Sequence, residues 1–336
     1  VVSTRSAHAD MSQHSNCVHG RGIHQADVKE CFRGIGATEV PTVAVLLSIH
    51  GGQEYWTAQL ESLACQSDVH VDLVYHVDGP DDEPDSVVKS FFPAATRIPT
   101  QRNLGLPDAY FTLLELSPQR DLYAFCDQDD VWVHDKLLRA HQAIDMCDGD
   151  PCLWISSVAP FVGDVPSNLT SLRGVRVAET QLGTSLVQSL GPGCAMVWNN
   201  PLHERLRSTL PVKGVLMHDA WVGLVPTATG RVIKSEEVGV LYRLHERNTI
   251  GLEKPLPRRA YALLHRLNRG EPTFASQAAE LLRQFGSQLP ASSREMVVSV
   301  ATWNRRGLFR LWLKGRIRRT GFRENSLLAL RFLLPK

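Results

Sequence analysis

The run from Val43 to Ile49 is apolar and rich in residues that favour β-strands. A strand without polar alternation is typical of the centre of a parallel sheet, where both faces are buried. His50-Gly51-Gly52 ends the run, and a helix is predicted from about Glu54 to Gln66. The chain is therefore constrained, from this element onward, toward a sheet that is covered by helices.

Strands and helices continue to alternate up to about residue 160. Further strands are predicted over 69–77, 96–98, 122–126 and 153–158. Strands that alternate with helices of this length predict an α/β fold with a doubly wound, mostly parallel sheet. Right-handed connections put the strand ends on one rim, so we expect the loops at Ser48–Gly52, Asp78–Gly79 and Asp127–Asp130 to converge.

Three carboxylates follow the predicted strand that ends at Cys126, in the sequence Asp127-Gln128-Asp129-Asp130. The carboxyl end of a strand is where open α/β sheets bind ligands. Clustered carboxylates raise one another's pKa unless a cation compensates them, and Mg²⁺ or Mn²⁺ prefers such oxygen ligands. The alternative is a solvated acidic loop that caps the next helix. The buried strand before the cluster and Trp132 after it favour a divalent metal that holds phosphates.

The composition is that of a globular protein of 336 residues, with 43% hydrophobic and 21% charged side chains, which suits one large domain or two modest ones. No apolar stretch approaches the roughly 18 residues of a transmembrane helix. Residues 1–40 are rich in His, Ser and Gly and lack the hydrophobic segment of a secretory signal, so we expect a poorly ordered leader. The seven cysteines are scattered without a Cys-x-x-Cys pair, which argues against a disulfide framework or zinc site and for a reducing cytoplasm.

The C-terminal segment is strongly basic. From Met296 onward it holds ten Lys or Arg residues and one acid, Glu324, and its cations are interleaved with Leu, Phe and Trp. A basic amphipathic segment of this kind fits the surface of an anionic membrane. One alternative is a terminal helix that packs on the body with a solvated basic face. Nucleic-acid binding is disfavoured, because no recognition motif accompanies the charge.

Several short motifs stand in order along the body of the chain. They are Ser48-Ile49-His50-Gly51-Gly52, Val77-Asp78-Gly79, Asn103-Leu104-Gly105, Asp127-Gln128-Asp129-Asp130-Val131-Trp132, Lys136, Gly193-Cys194, His218-Asp219-Ala220-Trp221 and Tyr242-Arg243-x-His245-x-x-Asn248. Their order and spacing resemble family 2 glycosyltransferases. The four residues Asp127-Gln128-Asp129-Asp130, called the acid quartet below, stand before Val-Trp. Together with the later Tyr-Arg-x-His, they resemble the bacterial rhamnosyltransferase branch.

The resemblance implies a GT-A fold with nucleotide-binding and acceptor-binding halves over residues 41–251, followed by a helical, basic C-terminal region over 252–336. It implies inverting, metal-dependent transfer of a sugar from a nucleotide-sugar donor to a hydroxyl of a glycan or lipid-linked acceptor, in the synthesis of a cell-surface polysaccharide. On the rhamnosyltransferase branch the donor would be dTDP-rhamnose. The expected location is the cytoplasm, including the inner face of the cell membrane.

The resemblance also assigns roles to single residues. Asp219 would be the general base. The residues expected around the nucleotide are Ser48, His50, Asp78, Asn103, Asp127 and Arg243, with Asp78 accepting a hydrogen bond from a pyrimidine N–H. The expected ligands of Mn²⁺ or Mg²⁺ are Asp129, Asp127 and His245. Asp130 would orient them, Gly193 would let the backbone approach the donor, and Trp221 would pack beside the base.

Three alternatives remain open for these residues. Asp219 could simply cap its helix. The strand–Asp-x-Asp pattern also occurs in phosphatases of the haloacid dehalogenase type, although these usually place it on their first strand. A relative that binds glycan or membrane without catalysis would be expected to lack the base or the Asp-x-Asp pair, and this chain keeps both.

Overall fold

The protein is described by a computed structural model over residues 40–79, 83–99, 103–166, 174, 177–178, 180–245 and 273–333. The predicted leader lies outside these residues except for Val40. Asn248 of the last motif and residues 252–272 of the predicted C-terminal region also lie outside them.

Within the described residues, eight strands form one mixed sheet in the order β3-β2-β1-β4-β7-β6-β8-β5. In chain order they are β1 Thr42–Ile49, β2 His70–Val77, β3 Thr96–Arg97, β4 Leu122–Asp127, β5 Val131–Trp132, β6 Cys152–Phe161, β7 Met196–Asn199 and β8 Arg231–Arg243. The four strands from β3 to β4 are parallel, as the sequence predicts. Beyond β4 the sheet is mixed, because β7 runs antiparallel to both β4 and β6.

The strand β1 lies at the centre of the parallel half, and Val43 to Leu47 are at most 2% exposed, as expected for a strand buried on both faces. Its register places Ser48 beside Asp127 of β4 and Ile49 beside Val77 of β2. The loops after these three strands therefore leave the sheet at the same level, and the predicted convergence is confirmed.

Helices cover the sheet and continue into the C-terminal region. They are α1 Gln53–Ala64, α2 Glu83–Phe91, α3 Asp108–Leu116, α4 Lys136–Asp145, α5 Leu182–Ser185, α6 Asn200–Arg207, α7 His218–Thr229, α8 Phe274–Phe285, α9 Ala291–Ala301, α10 Arg305–Leu313 and α11 Phe322–Leu333. No helix in the described ranges combines the length and the apolar character that membrane crossing requires.

The C-terminal helices pack on the body rather than standing apart from it. Ser276 in α8 donates from Oγ to the carbonyl of Gly214 at 2.7 Å, and Gln277 accepts from the backbone N–H of Leu216 at 3.2 Å. Both contacts hold the segment that leads into α7. Leu308 and Phe332, from α10 and α11, belong to the main hydrophobic core. The expectation of a packed terminal helix is therefore confirmed for one side of these helices.

Two details of local structure differ from the sequence-based expectations. The helix predicted to open at Asn103 begins at Asp108, because Gly105 adopts φ +65° and the chain turns there before becoming helical. The short strand β5 had no sequence signal, since two residues are too few to show a period.

The cysteines also differ from expectation at one place. Cys147 and Cys152 form a disulfide across the turn between α4 and β6. Asp148 and Gly149 both have positive φ, and this tight turn brings two nearby cysteines together without a Cys-x-x-Cys spacing. The remaining described cysteines, Cys65, Cys126 and Cys194, are not part of this disulfide.

Candidate active site

A cavity of about 550 Å³ opens at the carboxyl ends of β1, β2 and β4. Nine of the residues singled out from the sequence line it: Ser48, His50, Asp78, Asn103, Asp127, Asp129, Gly193, Asp219 and His245. Three others, Asp130, Trp221 and Arg243, are not among its lining residues. The fold thus collects side chains from positions 48 to 245 around one volume.

The acid quartet divides into an accessible and a buried part. Asp129 lies at the cavity and its Oδ2 is 2.6 Å from Nε2 of His245, with both side chains 18% exposed. Asp127 accepts a hydrogen bond from the hydroxyl of Tyr110 at 2.7 Å. Asp130 is buried, and one of its carboxylate oxygens accepts from the backbone N–H of Arg243 at 3.0 Å. The three carboxylates therefore have different environments.

Burial and mutual repulsion raise the pKa of both inner acids, Asp127 and Asp130. Burial, followed by the charge of Asp129, raises the pKa of Asp127 to about 6. Burial, followed by the charges of Asp127 and Asp129, raises the pKa of Asp130 well above its usual value. A cation placed among these groups would favour their ionised forms.

The donor chemistry around the quartet fits a hard divalent cation. Ligand atoms of Asp127, Asp130 and Cys194 lie within 4.8 Å of one another, and Oδ2 of Asp130 is buried with no hydrogen-bond partner among the described residues. Cys194, however, is buried and its pKa is raised well above the ordinary value, mainly by desolvation, so it is a protonated thiol. Asp129 and His245 line the cavity itself; they supply a carboxylate, which suits Mn²⁺ or Mg²⁺ better than a thiol does, and an imidazole.

Asp219 lies in the wall of the same cavity, in the first turn of α7. The helix begins at His218 after Met217, so Asp219 is its second residue and does not cap it. The side chain is 6% exposed, and burial raises its pKa to about 7, with a smaller raising effect from Asp127. Its own helix opposes this shift, because Oδ1 accepts from the backbone N–H of Ala220 at 2.6 Å. The balance leaves a carboxyl that titrates near neutral pH.

Gly193 and His218 support this wall. A Cβ atom at position 193 would lie 2.8 Å from Nε2 of His218 and 3.6 Å from Cβ of Asp219. The His218 ring is stacked on Tyr110 at 4.0 Å between centroids, and burial lowers its pKa to about 3, so it is neutral. The glycine is therefore required for the close approach of the 192–194 segment to the start of α7.

Asp78 and His50 shape the other end of the cavity. The Asp78 carboxylate accepts from the backbone N–H groups of Leu104 and Gly105, the second at 2.8 Å. This explains the Asn-Leu-Gly motif: the loop is held by Asp78 and presents Asn103 at the cavity. The Nδ1 atom of His50 lies 2.7 Å from the backbone carbonyl oxygen of Asp78. A carboxylate has further lone pairs, so Asp78 keeps acceptor capacity toward a ligand.

Arg243 and Trp221 have partners in the protein. Arg243 donates from Nε to the carbonyl oxygen of Asp129 at 2.9 Å, and its guanidinium also contacts the carbonyl of Gly163. Arg243 thereby fixes the turn formed by Asp127–Asp130, called the acid turn below. Trp221 is 1% exposed and donates from its indole to Thr209 at 3.2 Å, which agrees with the expected packing role.

Two contributors to the site were not assigned roles from the sequence. Gln128 pairs with the backbone of His50, accepting from its N–H at 2.5 Å and donating to its carbonyl at 3.0 Å. It ties the loop after β1 to the acid turn. Tyr110 joins Asp127 to His218 through the contacts given above. Gln128 lies inside the acid quartet, but neither residue carried a signal in a single sequence that distinguishes it from an ordinary polar or aromatic side chain.

Lys136, which was noted as part of the motif pattern, has a structural place beneath the quartet. It is fully buried, donates from Nζ to the carbonyl of Cys194 at 2.5 Å and lies 3.0 Å from the centroid of the Trp132 ring. Desolvation lowers its pKa to about 7, although the charges of Asp130 and Asp127 oppose this shift. It joins the segment before β7 to α4.

The structure is similar to that of Staphylococcus aureus TarS. TarS 1–349 in complex with UDP-GlcNAc aligns with a TM-score of 0.54 and 15% identity, covering 87% of this chain and 79% of that chain. TarS 1–349 in complex with UDP aligns with a TM-score of 0.52 and 15% identity, covering 81% and 72%. No protein-family model and no curated protein matches the sequence. At this level of identity the likeness concerns the fold, and the predicted α/β fold of GT-A type is confirmed.

Proposed function

We propose that the protein is an inverting, metal-dependent glycosyltransferase that uses a nucleotide-sugar donor. The observation that carries this proposal is that Asp129 and Asp219 line the same cavity of about 550 Å³. Asp129 and His245 offer a carboxylate and an imidazole for a metal–diphosphate. Asp219 offers a buried carboxyl that titrates near neutral pH.

Inversion needs a base on the side of the sugar opposite the leaving group, where the acceptor hydroxyl approaches. Asp219 suits this role because its pKa of about 7 lets it be ionised at physiological pH and still accept a proton. Gly193 and the neutral ring of His218 keep the neighbouring backbone close to it. The acceptor hydroxyl would give its proton to Asp219 as its oxygen bonds to the anomeric carbon.

The leaving group would be a nucleoside diphosphate. A divalent cation would neutralise the charge that develops on it as the glycosidic bond breaks. Asp129 and His245 are the residues we propose as ligands, with Asp127 beside them facing the ribose. Asp130 and Arg243 would act on the metal site indirectly, because both hold the acid turn from behind.

We propose a pyrimidine nucleotide for the donor. The fold's likeness to TarS, which was crystallised with UDP-GlcNAc and with UDP, supports a uridine donor. The motif resemblance supports dTDP-rhamnose. Uracil and thymine both carry an imide N–H, which could donate a hydrogen bond to a remaining lone pair of Asp78. The proposed acceptor is a hydroxyl of a glycan or lipid-linked glycan of the cell surface, on the cytoplasmic side of the membrane.

The phosphatase alternative is weaker on the same geometry. Phosphatases of this type usually place the nucleophilic aspartate on their first strand, whereas Asp127 ends β4 and three strands precede it in the chain. A binding-only protein would not require a buried carboxyl at position 219, since burying an ionisable group that serves no chemistry costs stability.

Thermal unfolding of the full chain with dTDP, UDP, GDP and CDP, each with and without Mn²⁺, tests the donor site. A ligand at a hundred times its dissociation constant stabilises a protein by about 2.7 kcal/mol, which raises the melting temperature by a few degrees. A shift for a pyrimidine nucleotide that requires the metal supports the proposal. No shift for any nucleotide at millimolar concentration would overturn it in favour of the phosphatase or the binding-only protein.

A further inference from the structure

The two last helices form an antiparallel pair with one side buried in the body. Arg305 at the start of α10 donates to the carbonyl oxygen of Phe332 near the end of α11 at 3.1 Å. Trp312 at the end of α10 donates from its indole to Asn325 near the start of α11 at 3.1 Å. The inner sides of the pair carry the buried residues Leu308, Leu311, Leu328 and Phe332.

The outer side of α11 is apolar as well. Phe322 is 92% exposed, and Leu327, Leu330 and Leu333 are between 43% and 55% exposed. At 100° per residue these four positions fall within half of the helix circumference, opposite the buried residues. Eleven large apolar side chains are exposed in the described part of the chain, and five of them lie between 313 and 333. Single exposed apolar residues are ordinary, but such clustering marks an interaction surface.

The same two helices carry exposed cations. Arg306 and Arg310 on α10, and Lys314 directly after it, are exposed at spacings of four residues, with Leu313 beside them. Arg323 and Arg331 are exposed among the apolar residues of α11. The one acid of the segment, Glu324, is 3.6 Å from the guanidinium of Arg319. The outer surface of the pair is therefore both apolar and strongly positive.

We propose that the outer surface of α10 and α11 docks on an anionic lipid bilayer. Phe322 and the exposed leucines would enter the boundary between headgroups and acyl chains, and the arginines would lie near lipid phosphates. Nucleic acid would use the cations but not the exposed Phe322. A second copy of the same surface would bring like charges together. This proposal does not depend on glycosyl transfer.

The test is co-sedimentation of the full chain with vesicles of phosphatidylcholine alone or of phosphatidylcholine mixed with phosphatidylglycerol. We expect binding to the mixed vesicles only, weakened by added salt because exposed charges are screened. Equal binding to both kinds of vesicle, or binding to neither, would overturn the proposal. Binding to duplex DNA without binding to vesicles would also overturn it and assign the surface to nucleic acid.

Paired variants locate the surface. Phe322→Ser with Leu330→Ser should reduce vesicle affinity at least about tenfold, since each removes apolar area from the membrane boundary. The matched control is Leu116→Ser with Met146→Ser, which replaces equally exposed residues elsewhere and should have no effect. Arg310→Gln and Arg323→Gln should each reduce affinity roughly fivefold. Arg207→Gln on α6 is their control. Unchanged binding in the surface variants would exclude this surface.

The nucleotide-induced melting shift should be the same in these variants as in the unchanged protein. A loss of vesicle binding with the shift preserved separates the membrane surface from the cavity. If no nucleotide shifted the melting temperature, the vesicle result would still stand. If the protein did not bind vesicles, the nucleotide result would still stand.

Discussion

Asp129 and His245 are 116 positions apart, yet their side chains meet at 2.6 Å on the wall of the cavity. The contact results from strand pairing: β5, which follows the acid turn, runs antiparallel to the end of β8, which leads to His245. Arg243 reinforces it by donating to the backbone carbonyl of Asp129 at 2.9 Å. The motif Tyr242-Arg243-x-His245 therefore completes a site that begins at the end of β4.

We predict that Asp129→Asn and His245→Asn each lower Mn²⁺-dependent nucleotide affinity at least about tenfold, because each removes a ligand of the metal that holds the diphosphate. The measurement is nucleotide titration with and without Mn²⁺. Asp145→Asn, an exposed carboxylate on α4, is the control and should bind normally. Metal-dependent affinity that survives both site changes would place the metal elsewhere, for example on Asp127 and Asp130.

The activity should depend on the ionisation of Asp219. Because its pKa in the free protein is about 7, kcat/KM for the donor should rise with pH through that value and level off above it. Each pH unit below it should cost about tenfold. Asp219→Asn should keep nucleotide binding and lose turnover by several orders of magnitude. Donor hydrolysis suits this measurement, since it needs no acceptor. Near-normal turnover in the variant would move the base to another residue.

The same residue should also limit stability. The pKa of the Asp219 carboxyl rises from 3.8 to about 7 on folding, so this group binds its proton more strongly in the folded state than in the unfolded state. Its contribution therefore becomes unfavourable as pH rises between those values, reaching on the order of 4 kcal/mol above the higher one.

Asp219→Asn removes that cost, so we predict a melting temperature several degrees higher than that of the unchanged protein at about pH 8, with the difference shrinking toward about pH 4. Thermal unfolding at both pH values checks this. A lower melting temperature at the higher pH would mean that the carboxylate is stabilised where it lies.

Much of the fold was predictable because the parallel half has simple sequence patterns. The apolar runs at β1 and before Asp127 are typical of buried strands. Because parallel strands end on the same rim of a sheet, the loops that follow them were expected to converge. The antiparallel half was harder, because β5 is too short to show a period and β7 joins β4 to β6 without a helical crossover. The roles of Asp78 and Arg243 as anchors of neighbouring loops were also hidden, since they depend on backbone groups that any residue could supply. The Cys147–Cys152 disulfide arises from a turn whose geometry does not follow from cysteine spacing.

The backbone at Gly193 lies close to the imidazole ring of His218. A methyl group at position 193 would stand 2.8 Å from Nε2 of His218, closer than such atoms approach one another. The imidazole has little room to move away, because Tyr110 stacks on it at 4.0 Å and Phe125 meets its edge at 4.9 Å between centroids. Gly193→Ala should therefore shift the start of α7 and displace Asp219.

We expect Gly193→Ala to fold and to bind nucleotide and metal, because a Cβ at position 193 would meet His218 and Asp219 and neither Asp129 nor His245. Donor turnover should fall at least about a hundredfold through misplacement of the base. Gly79→Ala is the matched control: it lies near the same rim, and a Cβ there would meet nothing within 4 Å. Turnover and nucleotide affinity measured on both variants separate an effect on the base from an effect on the metal ligands. Full turnover in Gly193→Ala would show that this segment can move without disturbing the base, and the requirement for glycine at 193 would then be one of packing alone.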